Sequence, residues 1–326
     1  MLLPPIDAEL LRFLEHLHAA HPLPRDPSDL AAYRARYEAA SRALPSVQVP
    51  VSVGDFHLTT SSGGGAAQRL PARMYMPVGA RAPVLMAWFH GGGWVAGSLD
   101  SHDGLCRQLS HDLGVAVASV HIPGAHEQGL LQGCEDALRA LGTLADGRAR
   151  LTADPQRLLV GGDGSGAHLA LQAAWRLQRQ RPGCVDAVLG LYPLTKPDFN
   201  TMSYLAHANS LAFARDDAVR AWHSLLHGRW ELWDERAVLM HGNAPLQRPP
   251  AVMLLAAECD GAHDDAIALH DWLRAAGARC EFLGAPRMTH DFARLQHASP
   301  HARRLLQDAL QAFIGMAQLQ PVPPLP

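Results

Sequence analysis

Two glycine-rich segments, each directly after an apolar run, constrain the fold more than any other feature of this sequence. The first, HGGGW at residues 90–94, follows the run 84–89, and the second, GGDGSG at 161–166, follows the run 157–160. Each run is typical of a buried strand. Glycine after such a strand lets the backbone turn sharply and approach a ligand closely. Two such turns at one end of a sheet bring backbone N–H groups together, which is the arrangement that holds an oxyanion.

The strand patterns on either side of residue 84 differ. Alternating apolar residues at 48–58 and 70–76 predict an antiparallel pair, and the glycine-rich stretch 59–67 between them predicts a flexible hairpin loop. From residue 84 onward, strand and helix patterns alternate. This order predicts an α/β fold with a mostly parallel central sheet and helices on both faces.

Helical patterns precede the first strand. Leucines recur at helical spacing in 7–21, and a second stripe runs through 28–44. Helices in this position predict a cap over the sheet, so we assign an N-terminal cap to 1–47. The segment 194–242 is the least sheet-like and predicts a second contribution to the cap. We see no linker and no repeat, and we expect one domain spanning 1–326.

Composition excludes several classes of function. The chain has 326 residues, a formal net charge of -3 and 48% hydrophobic residues, so nothing favours nucleic acid or an anionic membrane as a partner. No apolar run reaches the roughly 20 residues that span a bilayer. The N-terminus lacks a basic region, and the five cysteines are scattered and odd in number. We therefore expect a cytoplasmic protein with reduced thiols.

An acid and a histidine, two of the groups that acyl transfer requires, follow consecutive strand patterns. Asp260 follows the apolar run 251–256, and His290 follows the next strand pattern at 280–283. Loops after parallel strands lie at the carboxyl edge of a sheet, where active sites form. Asp260 could instead cap the following helix, and His290 could be an ordinary loop histidine. We favour a catalytic acid and a catalytic base for the two positions.

These segments together resemble the hormone-sensitive-lipase family of α/β-hydrolases, in its bacterial esterase form. Residues 90–94 match the HGGGW oxyanion motif, and 162–166 lie on the GDSAG nucleophile elbow. Residues 192–193 match the YP pair, 260–264 lie on the DPLRD acid loop, and 290–292 lie on the HGF histidine loop. The resemblance spans nearly the whole chain. It implies an α/β-hydrolase fold with an N-terminal helical cap and a Ser-His-Asp mechanism on small to medium acyl esters, without metal or cofactor.

The resemblance also assigns the site residues. The catalytic set is Gly164, Asp260 and His290; the oxyanion hole is Gly91, Gly92, Gly93 and Ser165; the substrate pocket includes Trp94, His121 and Tyr192. Ser165 is a candidate substitute nucleophile. We favour the alternative that its side chain points elsewhere, because it lies one residue past the apex of the elbow and enters the helix.

Three departures from the family pattern bear on activity. Glycine occupies the nucleophile slot at 164. The segment 121–132 keeps little of the family's DYRLAPEHPFPA beyond Ala125 and Glu127, and Gly261 to His263 replace the PLR of the acid loop. The first departure concerns the covalent mechanism, and the other two concern the floor of the pocket.

Three functions are compatible with this pattern. The first, which we prefer, is a carboxylic-ester hydrolase scaffold with its serine replaced by glycine, through natural loss or engineering. The second is a non-hydrolytic, receptor-like homologue, as in plant gibberellin receptors, which look like esterases with an incomplete triad. The third is an enzyme that uses His290 and Asp260 as base and orienting acid without a covalent step. The expected partner is a small-molecule ester or related ligand, and a homodimer is left open.

Overall fold

The computed structural model describes residues 4–24, 28–62, 65–79, 84–124, 129–151, 156–226, 238–241 and 245–319. The strands in these ranges are β1 (Val51–Ser62), β2 (Gly65–Pro77), β3 (Leu85–Phe89), β4 (Ala116–Val120), β5 (Leu158–Asp163), β6 (Ala187–Leu191), β7 (Ala251–Ala257) and β8 (Cys280–Ala285). They form one sheet in the order β1-β2-β4-β3-β5-β6-β7-β8. β1 and β2, and β2 and β4, pair antiparallel, and every other neighbouring pair is parallel. The mostly parallel sheet predicted from the sequence is confirmed.

Helices cover both faces of the sheet. They are α1 (Ala8–Ala20), α2 (Leu30–Arg42), α3 (Asp103–Leu113), α4 (Leu130–Leu151), α5 (Ser165–Gln180), α6 (Met202–Ala206), α7 (Arg215–Leu225), α8 (His263–Ala275) and α9 (Pro300–Ala317). None of the helices in the described ranges is long and apolar enough to span a membrane.

Alternate residues of β3 enter two separate cores. Leu85 and Phe89 lie with buried side chains of α4, α5 and α8, whereas Met86 and Trp88 lie with those of α1, α3 and α9. Side chains of a strand point alternately to the two faces of a sheet, and here both faces are covered. This explains why the strand is apolar at every position instead of alternating with polar residues.

The hairpin between β1 and β2 is tighter than the sequence predicts. Pairing continues from Leu58 opposite Leu70 to Ser62 opposite Gly65, so the predicted loop 59–67 is mostly strand, and residues 63–64 lie outside the described residues. Leu58 and Leu70 are buried, which holds the register. Main-chain hydrogen bonds need no side chain, so glycine and serine in this stretch do not prevent pairing.

The N-terminal helices form close to their predicted positions and lie beside the loop that follows β8. The side chains of Asp7 and Asp29 accept hydrogen bonds from first-turn N–H groups of α1 and α2. The N–H of Asp7 donates to the Arg287 carbonyl at 2.9 Å, and Arg294 donates to the Ser41 hydroxyl at 3.0 Å. Within 194–242, α6 and α7 are helical, and residues 227–237 and 242 lie outside the described residues.

Candidate active site

The loops that carry the predicted residues follow strands whose carboxyl ends lie at one edge of the sheet. The relevant strands are β3, β5, β7 and β8, which end at Phe89, Asp163, Ala257 and Ala285. His290 and Gly164 meet at this edge, since a Cβ built on Gly164 would lie 3.1 Å from His290 Nε2. The two glycine-rich segments therefore share one site with the acid and histidine loops.

Gly164 forms a sharp turn between β5 and α5. Its φ of 52° and ψ of -117° are backbone values that residues with a side chain adopt under strain. Its N–H donates to the Leu191 carbonyl at 2.9 Å, and its carbonyl accepts from Leu194 N–H at 3.2 Å. The turn thus has the shape of a nucleophile elbow, with no side chain at its apex.

His290 and Asp260 form a buried hydrogen-bonded pair. Nδ1 of His290 lies 2.7 Å from Asp260 Oδ2, while Asp260 Oδ1 accepts from Ala262 N–H at 3.0 Å. Burial lowers the pKa of His290, but the charge and the hydrogen bond of Asp260, together with the charges of Asp291 and Asp163, raise it, and the net pKa lies above its ordinary value. The carboxylate therefore holds the proton on Nδ1, which leaves Nε2 directed at the position of Gly164 and able to accept a proton.

Aromatic rings fix the orientation of the imidazole. The Phe213 ring is stacked on His290 with centroids 4.6 Å apart, and the Tyr192 ring lies at 4.8 Å. Tyr192 therefore borders the histidine, close to where the sequence predicts the pocket. Phe213 was not identified from the sequence, because it comes from the irregular segment before α7 and no motif surrounds it.

Three backbone N–H groups near Gly164 form a candidate oxyanion hole. Among the described residues, the N–H groups of Gly92, Gly93 and Ser165 donate to no protein acceptor. Gly92 and Gly93 have φ of 120° and 64°, values that glycine adopts without strain. The N–H of Gly91 does not join them, because it donates to Asp163 Oδ1 at 3.1 Å.

The hydroxyl of Ser165 faces away from the histidine. Ser165 Oγ accepts a hydrogen bond from the Trp94 N–H at 3.2 Å, and the residue is 2% exposed. The side chain thus braces the oxyanion loop against the start of α5. This orientation fits the expectation that Ser165 contributes its N–H rather than a nucleophile.

A buried aspartate joins the elbow to the oxyanion loop. Asp163 accepts from Gly91 N–H through Oδ1 and lies 3.0 Å from His102 Nε2 through Oδ2. Both Asp163 and His102 are fully buried. Asp163 occupies the aspartate position of the elbow motif, so the motif could have identified it as a functional residue. His102 lies in no motif.

Two cavities flank the oxyanion loop. The first, here called the base-side cavity, has a volume of about 90 Å³ and is bounded by His290, Gly92, Gly93, Phe213 and side chains of α1 and α2. The second, here called the histidine-pair cavity, has about 180 Å³ and is bounded by His90, His121, Trp94, Ser165 and other residues. The predicted pocket residues are therefore divided, since Trp94 and His121 border the second cavity, on the other side of the loop from His290.

His121 pairs with a histidine of the oxyanion loop. His90 Nδ1 donates to the Gly91 carbonyl at 2.8 Å, so its Nε2 accepts from His121 Nδ1 at 2.9 Å. Burial lowers the pKa of His90 well below its ordinary value, and His121 and His102 lower it further. His90 is therefore neutral, and its hydrogen bond with His121 connects the oxyanion loop to the segment after β4. Within the described ranges, no three His, Cys, Asp or Glu side chains are grouped so as to hold a metal ion.

The residue after the histidine carries a charge where the family motif has glycine. Asp291 has a φ of 64° and forms an ion pair with Arg294 at 3.0 Å. The Arg294 guanidinium lies over the Tyr37 ring, 4.8 Å from its centroid. The sequence itself shows that HDF replaces the family's HGF at 290–292. It does not show that Asp291 pairs with Arg294. Of the departures at 121–132, residues 125–128 lie outside the described residues.

Comparison with known proteins agrees with this fold. A family model described as alpha/beta hydrolase fold matches residues 86–294. An ethyl acetate hydrolase of Pseudomonas putida is 31% identical over 278 residues, which cover 84% of this chain and 86% of the relative. Carboxylesterase NlhH of Mycobacterium tuberculosis is 31% identical over 258 residues, which cover 75% of this chain and 77% of the relative.

A solved structure has the same fold. The crystal structure of a thermostable esterase from Pseudomonas putida ECU1011 aligns with a TM-score of 0.87 and 21% identity, covering 98% of this chain and 100% of the other. At that identity the likeness establishes the fold alone. Taken with the matched family model and the esterase relatives, it shows that this chain belongs to the α/β-hydrolase family and has a carboxylesterase-type scaffold.

Proposed function

We propose that this site binds small to medium acyl esters as carboxylic-ester hydrolases of the hormone-sensitive-lipase type do. The observation that carries the proposal is the convergence at Gly164 of the His290–Asp260 pair with the N–H groups of Gly92, Gly93 and Ser165. A base and an oxyanion hole that face one point are the parts that ester hydrolysis requires. The α/β-hydrolase relatives named as esterases support the same chemistry.

The chain as it stands lacks the group that forms an acyl-enzyme. With glycine at 164, water takes the nucleophile's place: its oxygen attacks the carbonyl carbon while His290 accepts its proton. The carbonyl oxygen becomes an oxyanion held by Gly92 and Gly93. The intermediate then expels the alkoxide, which takes the proton from His290, and a carboxylic acid and an alcohol leave. A mobile water is a weaker nucleophile than a positioned hydroxyl, so we expect slow turnover.

A serine at position 164 would direct its side chain at His290, although its backbone would be strained there. A Cβ there would lie 3.1 Å from His290 Nε2, so a hydroxyl one bond further reaches hydrogen-bond distance if the imidazole shifts by a few tenths of an ångström. We expect Gly164→Ser to raise kcat/KM for p-nitrophenyl acetate by about 10³-fold or more, since base, acid and oxyanion hole are already assembled. Steady-state hydrolysis with purified protein measures this.

The matched control is Ser165→Ala in the unmodified chain. It should change turnover little compared with the loss of a nucleophile, because Ser165 Oγ binds the Trp94 N–H instead of facing His290, and the Ser165 N–H is retained. If Ser165→Ala abolishes a fast reaction, the nucleophile is Ser165 and the proposed mechanism is wrong. If Gly164→Ser stays inactive across short acyl esters, the proposal of ester hydrolysis fails.

One observation favours a second function, ligand binding without turnover. Gly164 leaves the space in front of His290 Nε2 without a protein nucleophile, so an ester can remain intact beside the oxyanion donors. Measurable binding of short esters by an inactive Gly164→Ser variant would support this alternative. In either case, we propose that α1, α2 and the described helices of 194–242 form the cap over the site.

A further inference from the structure

The base-side cavity is where the leaving part of an ester would lie. It is bounded by His290, Gly92 and Gly93, and His290 is the group that must return a proton to the departing alkoxide. The alcohol portion therefore extends into this cavity, toward α1 and α2. This placement rests on the proposed function.

The wall of this cavity combines apolar and polar side chains, and two arginines, Arg36 and Arg294, belong to it. Apolar residues on the wall include Leu14, Leu17, Leu211 and Phe213. Arg36 of α2 is half-buried and belongs to the same wall. Its Nε donates to the His21 carbonyl at 2.7 Å, and its Nη2 lies 3.1 Å from His18 Nε2.

The histidine beside Arg36 has a lowered pKa, which favours its neutral form. Burial lowers the pKa of His18, and the charge of Arg36 lowers it further. His18 Nε2 also lies 2.7 Å from the Leu211 carbonyl. One neutral nitrogen cannot both donate to that carbonyl and accept from Arg36, and the carbonyl is the closer partner. The Nη2 of Arg36 therefore keeps donor capacity toward the cavity.

The other charges on the wall are already matched. Asp217 binds Arg220 at 2.7 Å through Oδ1 and the Ala214 N–H at 2.9 Å through Oδ2. Asp291 binds Arg294 at 3.0 Å. Among the described residues, Arg36 has no carboxylate within 4.0 Å, so it is a cation in excess on this wall. Burial lowers the pKa of Arg36, although Tyr33 and Asp217 act in the opposite direction.

We propose that Arg36 selects esters whose alcohol portion carries a carboxylate, so that the preferred substrates are acyl esters of short hydroxy acids. A guanidinium binds a carboxylate through parallel N–H···O bonds, and such charge-assisted bonds are stronger than neutral ones. Arg36 is half-buried, so the contact is less screened by water than one on the open surface. Arg36 is a specificity residue, since it contacts the far end of the substrate and not the reacting atoms.

Because turnover without a protein nucleophile should be slow, the binding of esters can be measured before they are hydrolysed. We suggest isothermal titration of the unmodified chain with a homologous series of short acetoxycarboxylates and with the matching neutral acetoxyamides. For at least one chain length, the acid should bind more tightly than the matching amide by about tenfold or more, because a charge-assisted hydrogen bond is stronger than a neutral one. Equal binding of acids and amides along the whole series overturns the proposal, without any substitution.

Three variants test whether the preference for the acid over the amide depends on Arg36. Arg36→Met should abolish it, Arg36→Lys should retain part of it, and Arg42→Met, an exposed arginine of the same helix, should leave it unchanged. Because the acid-to-amide ratio is measured within each variant, a general loss of cap structure lowers both affinities and does not mimic the expected result. A preference that survives Arg36→Met, or that disappears in Arg42→Met, overturns the assignment to Arg36.

The Gly164→Ser background separates the two proposals. If that variant hydrolyses neutral esters and acetoxycarboxylates with equal kcat/KM, ester hydrolysis stands and the role of Arg36 is wrong. If it hydrolyses neither class, ester hydrolysis fails. If acids are then still bound more tightly than amides in an Arg36-dependent way, the cavity binds a carboxylate ligand without turnover.

Discussion

At the scale of single residues, nearby carboxylates determine the charge of His290, and Asp260 contributes most among them. Burial lowers the pKa of His290, and the charge and hydrogen bond of Asp260, with smaller contributions from Asp291 and Asp163, bring it above the ordinary 6.5. A pKa raised by folding contributes stability that is complete below about pH 6.5 and is lost as the pH rises through the folded-state pKa. The Asp260–His290 pair should therefore stabilise the protein most when the imidazole is protonated.

We accordingly expect Asp260→Asn to be most destabilising at or just below pH 6.5, with a cost that shrinks as the pH rises from there. Urea unfolding of the parent and the variant over a pH series measures the difference in free energy of unfolding. A difference that is constant with pH would show that Asp260 does not set the charge of His290. In the Gly164→Ser background the same substitution should lower kcat by about 10⁴-fold, since the imidazole loses its orienting acid.

Asp291 is a second residue with a testable charge. Burial raises the pKa of Asp291, but the charge of Arg294 and then that of His290 outweigh it, so the net pKa lies below 3.8. Asp291→Asn should cost about 3 kcal/mol near neutral pH, because it leaves the buried Arg294 guanidinium without its anion. The stabilisation is present above pH 3.8 and is lost as the pH falls through the lowered pKa, so the difference should vanish in strong acid.

A surface aspartate provides the comparison for this experiment. Asp271 of α8 has a side chain that is 75% exposed, and Asp271→Asn should change the free energy of unfolding by less than about 0.5 kcal/mol. Equal effects at the two positions, measured by urea unfolding, would mean that the Asp291–Arg294 pair contributes no more than a surface charge.

At the scale of elements, the start of α5 lies directly against the end of β3. A Cβ on Gly166 would overlap the carbonyl of Phe89, and a Cβ on Gly162 would overlap the backbone of Gly166. Only glycine lets the helix approach the strand this closely, and this approach brings the Ser165 N–H beside the oxyanion loop. The glycines of the second segment therefore allow α5 to approach β3 closely, in addition to allowing the turn at Gly164.

Gly166→Ala should therefore destabilise the protein by at least about 2 kcal/mol, because backbone atoms cannot move aside as a flexible side chain can. Gly142 of α4 is the matched control, since a Cβ there would meet nothing within 4 Å. Gly142→Ala should stabilise the protein by about 0.5–1 kcal/mol, through the higher helix propensity of alanine. Thermal unfolding followed by circular dichroism compares the two, and a neutral Gly166→Ala would contradict the close contact.

At the scale of the whole molecule, the N-terminal helices pack against the edge of the sheet that carries the candidate catalytic residues. Side chains of α1 and α2 border the base-side cavity together with His290 and Gly92. Tyr37 of α2 lies under the guanidinium of Arg294, which pairs with the residue after His290. A ligand in this cavity should therefore restrain the helices as well as the catalytic loops.

Hydrogen exchange tests this link. Phenyl acetate, which the chain should hydrolyse slowly, is expected to slow amide exchange in α1 (Ala8–Ala20) and α2 (Leu30–Arg42) as well as at 90–94. Helix α4 (Leu130–Leu151), whose buried side chains lie in the core on the opposite face of the sheet from α1, should show no change. Protection confined to 90–94 would contradict the assignment of α1 and α2 as a cap.

The sequence alone determined the order of strands and helices, the mostly parallel sheet and the four loops of the site. Local periodicity identifies a strand or helix, and parallel strands necessarily bring the residues after them to one edge. Gly164, Asp260 and His290 could therefore be placed together before any coordinates. The hairpin at 59–67 was misjudged because pairing depends on backbone hydrogen bonds, which composition does not display.

Only the tertiary structure decided which polar groups bind one another. The N–H of Gly91 is taken by Asp163, 72 residues away, and His121 pairs with His90 on the other side of the loop from His290. Such partners are chosen by distances between segments remote in sequence, to within a few tenths of an ångström, and no local pattern encodes them. The same holds for Arg36, whose significance comes from the lack of a nearby carboxylate in the described structure and not from any motif.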